Sequence, residues 1–93
     1  MMPYEVTVEA RVTKQLRRLP RDVSEDLYQA LTGLAENPRP RGCRKVRGKN
    51  DVWRIVVRRD YRVLYRVLDE TKQVAVFDVD RREKDTYNQA VKE

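Results

Sequence analysis

The side chains best suited to chemistry in this sequence are arginines and a tyrosine in its second half. Arg54 and Arg62 lie among apolar neighbours in two strand-like stretches, and Arg82 and Tyr87 follow a third. Arginine binds phosphate through a planar fork of N–H donors and keeps its charge at any relevant pH. Tyrosine adds a flat ring for a base and a hydroxyl for a phosphate or a proton. The set therefore favours a phosphodiester of single-stranded RNA as its ligand.

Further basic residues extend this set. We assign RNA contacts to Lys45, Arg47, Arg81 and Lys84. Purely structural roles stay open for Arg54, Arg62 and Tyr87. Asp78 can pair with one of the two arginines, and Tyr87 can pack beneath a terminal helix.

The chain contains no histidine and a single cysteine, Cys43. An internal disulfide is excluded, and no Cys/His cluster exists for zinc or iron. Without a histidine to activate it, Cys43 is better explained as a small loop residue than as a nucleophile. We therefore predict no metal and no cofactor, and any proton transfer must use Lys, Arg, Tyr, Asp or Glu side chains.

A period-two alternation in the segment 52–79 predicts the strands that position the arginines. Placing the apolar residues of the first two strands on one face requires Ile55 to pair with Val63. This register leaves a three-residue loop, 58–60, and Asp60 is the residue that best tolerates a left-handed conformation there. The opposite face then carries Arg54, Val56, Arg62 and Leu64.

The third strand is predicted over 73–79. Its alternation assigns Ala75, Phe77 and Val79 to the core and Asp78 to the arginine face.

The first half of the chain predicts a strand followed by two helices. The strand covers 4–10, where Tyr4, Val6 and Val8 alternate with polar residues. A helix containing Val12, Leu16 and Leu19 then runs to Pro20, which breaks it. The second helix begins near Arg21 or Asp22 and carries an apolar stripe made of Val23, Leu27, Ala30, Leu31 and Leu34. Asn37, Pro38 and Pro40 end that helix.

These elements predict an α+β fold. The apolar stripe of the helix hairpin must cover the apolar face of the strand meander. The segment 39–49 is predicted as a basic loop with a short strand at 44–47, and a short helix is predicted near the C-terminus.

Length and charge set broader bounds. The 93 residues predict one domain, 1–93, and the net charge of +6 indicates a polyanionic partner. No apolar run reaches membrane-spanning length and no signal-peptide pattern is present, so we expect a cytoplasmic protein without membrane contact.

Several segments together resemble the RelE branch of the RelE/ParE toxin superfamily. They are VTKQLRRLP, ENPRP followed by KVRG, VWRIVV, DYRVLYRV and VDRREKDTY. The resemblance implies a RelE-like toxin of a type II toxin–antitoxin pair, a ribosome-dependent endoribonuclease that cleaves mRNA in the aminoacyl site. In such enzymes the ribose 2′-hydroxyl attacks the adjacent phosphate. By position, the resemblance implies catalytic roles for Arg54, Arg62, Arg82 and Tyr87. Its implied partners are an acidic RelB-like antitoxin, the ribosome and mRNA.

The sequence departs from this pattern at three positions. Val56 stands where ribosome-dependent members often carry a second basic residue, Arg54 where some have lysine, and Asp80 where many have glycine or histidine. Because an arginine hardly deprotonates, the candidates for a base become Lys45, Glu83, Lys84 and Tyr87. Cleavage is therefore expected to be slow or to depend on groups supplied by the ribosome.

Two other functions stay open. One is a ParE-like inhibitor of DNA gyrase, which acts by binding a protein without cleaving RNA. The other is a basic RNA-binding module without toxicity.

Overall fold

A computed structural model of the chain describes residues 3–81. Within this range the elements are β1 (Glu5–Val8), α1 (Ala10–Arg17), α2 (Arg21–Gly33), β2 (Arg44–Lys45), β3 (Val52–Val57), β4 (Tyr61–Leu68) and β5 (Gln73–Arg81). The predicted α+β order of strand, helix hairpin and strand meander is confirmed. The predicted C-terminal helix lies outside the described residues.

Both helices form where the sequence changes from period two to helical spacing. Val12 and Leu16 stand one turn apart on α1 and are fully buried. Pro20 precedes the first turn of α2, where its fixed φ suits a helix start, and its carbonyl accepts a hydrogen bond from the Ser24 N–H at 3.0 Å. Neither helix is long and apolar enough, within residues 3–81, to cross a membrane.

The five strands of the described chain form one sheet in the order β1-β5-β4-β3-β2. The meander pairs are antiparallel, whereas β1 pairs with β5 in parallel. The helices between β1 and β2 supply the crossover that this parallel pairing needs. One sheet face packs on the helices, and the predicted stripe of α2 enters the core through Val23, Leu27, Leu31 and Leu34.

The register of β3 and β4 is confirmed, because Ile55 pairs with Val63 and a three-residue loop joins Val57 to Tyr61. The left-handed residues of this loop are not the one predicted. Arg58 and Arg59 have φ values of 57° and 67°, whereas Asp60 does not have a positive φ.

A contact with α2 explains this correction. In its left-handed conformation Arg58 donates hydrogen bonds to Asp22 and Asp26 at 3.3 and 3.0 Å. These ion pairs offset part of the cost of a positive φ in a residue with a Cβ atom.

The core assignment of β5 is wrong at two of three positions. Val74 and Val76 are buried in the core, while Ala75 and Phe77 are only partly buried; Val79 is in the core as predicted. A β-bulge is the cause: Tyr65 pairs with Val76 and Leu64 with Asp78, which leaves Phe77 as the extra residue. A strict alternation cannot register an inserted residue.

Side-chain hydrogen bonds hold the segment between α2 and β2. Tyr65 is fully buried, and its hydroxyl donates to the Pro38 carbonyl at 2.8 Å. Arg39 donates two hydrogen bonds to Asp69, at 3.2 and 2.7 Å, and Tyr4 donates a third at 2.6 Å. The Arg39 and Tyr4 donors lower the pKa of Asp69 to about 2. These contacts fix the start of the path that leads to β2.

Candidate functional site

Basic residues from three strands share the sheet face that points away from the helices. Arg44 of β2 lies opposite Arg54 of β3, Arg54 opposite Leu64 of β4, and Leu64 opposite Asp78 of β5. Direct cross-strand partners point to the same face of a sheet. The four side chains therefore form one row across the sheet.

A second row lies beside the first. Val56 of β3 is opposite Arg62 of β4, and Arg62 is opposite Asp80 of β5. Because residues two apart on a strand point the same way, this row shares the face of the first. Arg54 and Arg62, from neighbouring strands, thus stand on one side of the sheet, as predicted from the register.

Four residues of these rows, Arg44, Arg54, Arg62 and Leu64, line an open groove of about 740 Å³. Its lining consists of Cys43, Arg44, Lys45, Val46, Arg47, Arg54, Arg62 and Leu64. Five of these residues are cationic and none is acidic. An anionic ligand would therefore meet guanidinium groups around an apolar floor.

The structure brings some of the predicted site residues together and separates one from them. Arg54, Arg62, Lys45 and Arg47 come together in the groove. Arg81 does not join them, because it pairs with Tyr61 and its guanidinium lies 5.9 Å from the centre of that ring, on the helix-facing side. Arg82, Lys84 and Tyr87 lie outside the described residues, and so does Glu83. The chemical roles of all these residues stay predictions.

Arg44 is a groove residue that sequence reasoning missed. The basic segment was predicted to hold a short strand, but its register on β3 was not. Once Arg44 is set opposite Arg54, alternation places it on the groove face and places Lys45 opposite Trp53. Trp53 was the signal available in the sequence. Because Trp53 faces the helices, the β2 residue opposite it lies on that face, and the neighbouring β2 residue lies on the groove face.

The carboxylates beside the groove have defined ion-pair partners. Pairing of Asp78 with Arg54 or Arg62 was left open by the sequence, and the structure pairs Asp78 with Arg11 of α1, at 3.5 Å. Arg62 pairs instead with Asp80, its direct cross-strand neighbour, at 3.0 Å. Arg54 forms no ion pair with a carboxylate among residues 3–81.

Comparison with known proteins places this arrangement in a family. Residues 6–86 match the family model described as the ParE toxin of the type II toxin–antitoxin system parDE. The mRNA interferase toxin RelE of Escherichia coli (strain K12) is 37% identical over 93 residues, covering 98% of this chain and 97% of that protein. The chain belongs to the RelE/ParE toxin family.

Solved structures agree with this toxin in fold. The crystal structure of the isolated E. coli RelE toxin has a TM-score of 0.76 and 35% identity, with 96% of both chains covered. The archaeal RelE–RelB complex from Pyrococcus horikoshii OT3 has a TM-score of 0.76 and 28% identity, covering 89% of this toxin and 99% of that chain. The intact E. coli RelBE toxin–antitoxin complex has a TM-score of 0.73 and 34% identity, covering 87% and 99%.

The groove of this toxin is suited to binding an anion and stabilising charge. Arg54 and Arg62 offer fixed, forked donors, but neither can accept a proton at neutral pH. Lys45 is the one of the four predicted base candidates that falls within residues 3–81; it borders the groove, but its register opposite Trp53 directs its side chain to the other face of the sheet. Val56, which lies opposite Arg62 on β3, is 47% exposed and adds an apolar surface to this face of the sheet.

Proposed function

We propose that this toxin is an mRNA endoribonuclease that inhibits translation by cutting mRNA in the aminoacyl site of the ribosome. The observation that carries the proposal is the convergence of Arg54 and Arg62, from adjacent strands, in one groove with five cations and no carboxylate in its lining. The 37% identity to a protein named mRNA interferase toxin RelE supports the same reaction.

In the proposed reaction the scissile phosphodiester lies in the groove. The ribose 2′-oxygen forms a bond to phosphorus while the bond from phosphorus to the 5′-oxygen breaks, which leaves a 2′,3′-cyclic phosphate and a 5′-hydroxyl. One proton leaves the 2′-hydroxyl and one is gained by the 5′-oxygen. Arg54 and Arg62 stabilise the charge that develops on the non-bridging oxygens, a role in which one well-placed donor contributes about 10²–10³-fold in rate.

Proton transfer requires other groups. Because guanidinium groups stay protonated, the candidates in this chain are Lys45 at the groove and Glu83, Lys84 and Tyr87 beyond the described residues. Groups supplied by the ribosome would assist the proton transfers, while the arginines stabilise the charge.

The partners follow from charge. With five cations around it, the groove is suited both to the mRNA backbone and to an acidic segment of a RelB-like antitoxin. RelE relatives from E. coli and P. horikoshii have been crystallised as complexes with RelB. We place the toxin in the cytoplasm, where mRNA and ribosomes are found.

Primer extension on mRNA from cells that express the toxin tests this function. Cleavage at defined positions within codons, with DNA supercoiling unchanged, is the expected result. The match to the ParE family model favours a second candidate, a gyrase inhibitor. Intact messages together with loss of supercoiling would establish that candidate and reject the nuclease.

A further inference from the structure

The ion pair between Arg62 and Asp80 lies at the edge of the groove. It occupies part of the Arg62 guanidinium, which binds the RNA phosphate in the proposed function. The Arg62 Nη2 atom donates to the Asp80 Oδ2 atom at 3.0 Å. Both side chains are partly exposed, by 39% and 53%. Asp80 is not itself part of the groove lining, which includes Arg62. The contact therefore reaches into the groove from the neighbouring strand.

Asp80 contacts only one of the two N–H donors on one edge of the Arg62 guanidinium. The Nε and Nη2 atoms of an arginine lie on the same edge of the guanidinium, and this edge can bind two oxygens of a carboxylate or phosphate at once. Asp80 contacts Nη2 through a single oxygen, while Nε is buried and has no acceptor among residues 3–81. Asp80 thus holds half of a two-point anion site and leaves the other half unsatisfied.

A phosphodiester has two non-bridging oxygens that can satisfy both donors of that edge. To reach it, the phosphate must displace Asp80 and must approach a fixed negative charge. An exposed ion pair of this kind contributes little to stability, so its displacement is feasible. Its effect on an incoming anion is direct, because the two anions compete for the same N–H group.

We propose that Asp80 is an internal competitor for Arg62 that lowers the affinity of the groove for the phosphate backbone of RNA. The proposal rests on the proposed function, since it takes the groove to be the RNA site. It makes Asp80 an affinity-setting residue without contact to the reacting atoms.

The Asp80→Asn variant removes the charge but keeps the shape and a hydrogen-bond acceptor for Arg62. Asp51→Asn is a matched control: Asp51 pairs with Arg66 at 3.1 Å, and Arg66 lies four residues along β4 and outside the groove. Both substitutions raise the net charge by the same amount. Asp80→Glu retains the charge and should behave like the wild type.

The primary measurement is binding of a fluorescent single-stranded oligoribonucleotide with a 2′-deoxy residue at the scissile position, followed by anisotropy at fixed salt. Asp80→Asn is expected to lower the Kd by roughly two- to fivefold, the range of an exposed ion pair, while Asp51→Asn leaves it near the wild-type value. Thermal unfolding of each variant checks that the fold is kept.

Equal effects of Asp80→Asn and Asp51→Asn would overturn the proposal, because net charge would then explain the data. No effect of Asp80→Asn would also overturn it, because Asp80 would then not compete with the RNA. Arg62→Ala separates this failure from a failure of the site. If Arg62→Ala weakens binding while Asp80→Asn does nothing, only the role of Asp80 is rejected. If Arg62→Ala also leaves binding unchanged, the assignment of the groove as the RNA site is rejected with it. None of these readouts requires the oligonucleotide to be cleaved.

Discussion

Removing the Tyr65 hydroxyl is expected to destabilise the toxin although it leaves the apolar core unchanged. Tyr65 is fully buried and donates to the carbonyl of Pro38, a buried residue. Tyr65→Phe keeps the ring but leaves that carbonyl without its donor. An acceptor stranded in this way costs about 1–2 kcal/mol. For a domain of this size that corresponds to a fall in Tm of roughly 4–16 °C.

Urea unfolding followed by circular dichroism measures this loss. Tyr28→Phe is the control, since Tyr28 is 43% exposed on α2 and its change should stay within about 0.5 kcal/mol. The mutant should retain an unchanged m-value, because the buried surface is the same. If Tyr65→Phe and Tyr28→Phe give equal midpoints, the hydroxyl does not anchor the segment before β2, and the reasoning fails.

Three further predictions concern other parts of the fold. Leu27→Ala, at a fully buried core position of α2, should cost about 2–5 kcal/mol in the same urea experiment. Arg59→Gly should raise the free energy of unfolding by roughly 0.5–1 kcal/mol, and the urea midpoint with it, because glycine adopts the φ of 67° without a Cβ clash. Asp69→Asn should lower Tm at neutral pH. Because the folded-state pKa of Asp69 is about 2, below its usual 3.8, this difference should be present above pH 4 and disappear as the pH falls towards 2.

Much of the fold could be predicted because burial fixes strand register. Pairing Ile55 with Val63 places both residues and their apolar neighbours on the helix side, and the structure has that pairing. The same logic placed Arg54 and Arg62 on one face. A register error of one residue would have exposed buried Tyr65, so the pattern carries strong physical constraint.

The features that could not be predicted depend on contacts between distant segments. The bulge at Phe77 changes which β5 residues are buried, and an alternating pattern contains no mark of it. The left-handed conformation of Arg58 is supported by Asp22 and Asp26, which are 36 and 32 residues away in the chain. Loop propensity alone pointed to Asp60.

In the candidate site, too, local alternation predicted some residues, whereas others depended on contacts between separate strands. Alternation identified the two groove arginines of the meander, but the membership of Arg44 required the register of a two-residue strand. The ion pair of Arg62 with Asp80 follows from the register of β4 and β5, which places Asp80 directly opposite Arg62 and Asp78 opposite Leu64.

The central claim is that Arg54 and Arg62 act on the RNA phosphate, and single-turnover cleavage of mRNA on programmed ribosomes tests it most directly. Arg66→Ala is the control, because Arg66 is an exposed arginine on the same strand as Arg62 but outside the groove. Arg54→Ala and Arg62→Ala should each slow cleavage by about 100-fold or more, whereas Arg66→Ala should stay within about threefold of the wild type. Cleavage that is unchanged in the groove variants, or that falls equally in all three, would contradict the claim.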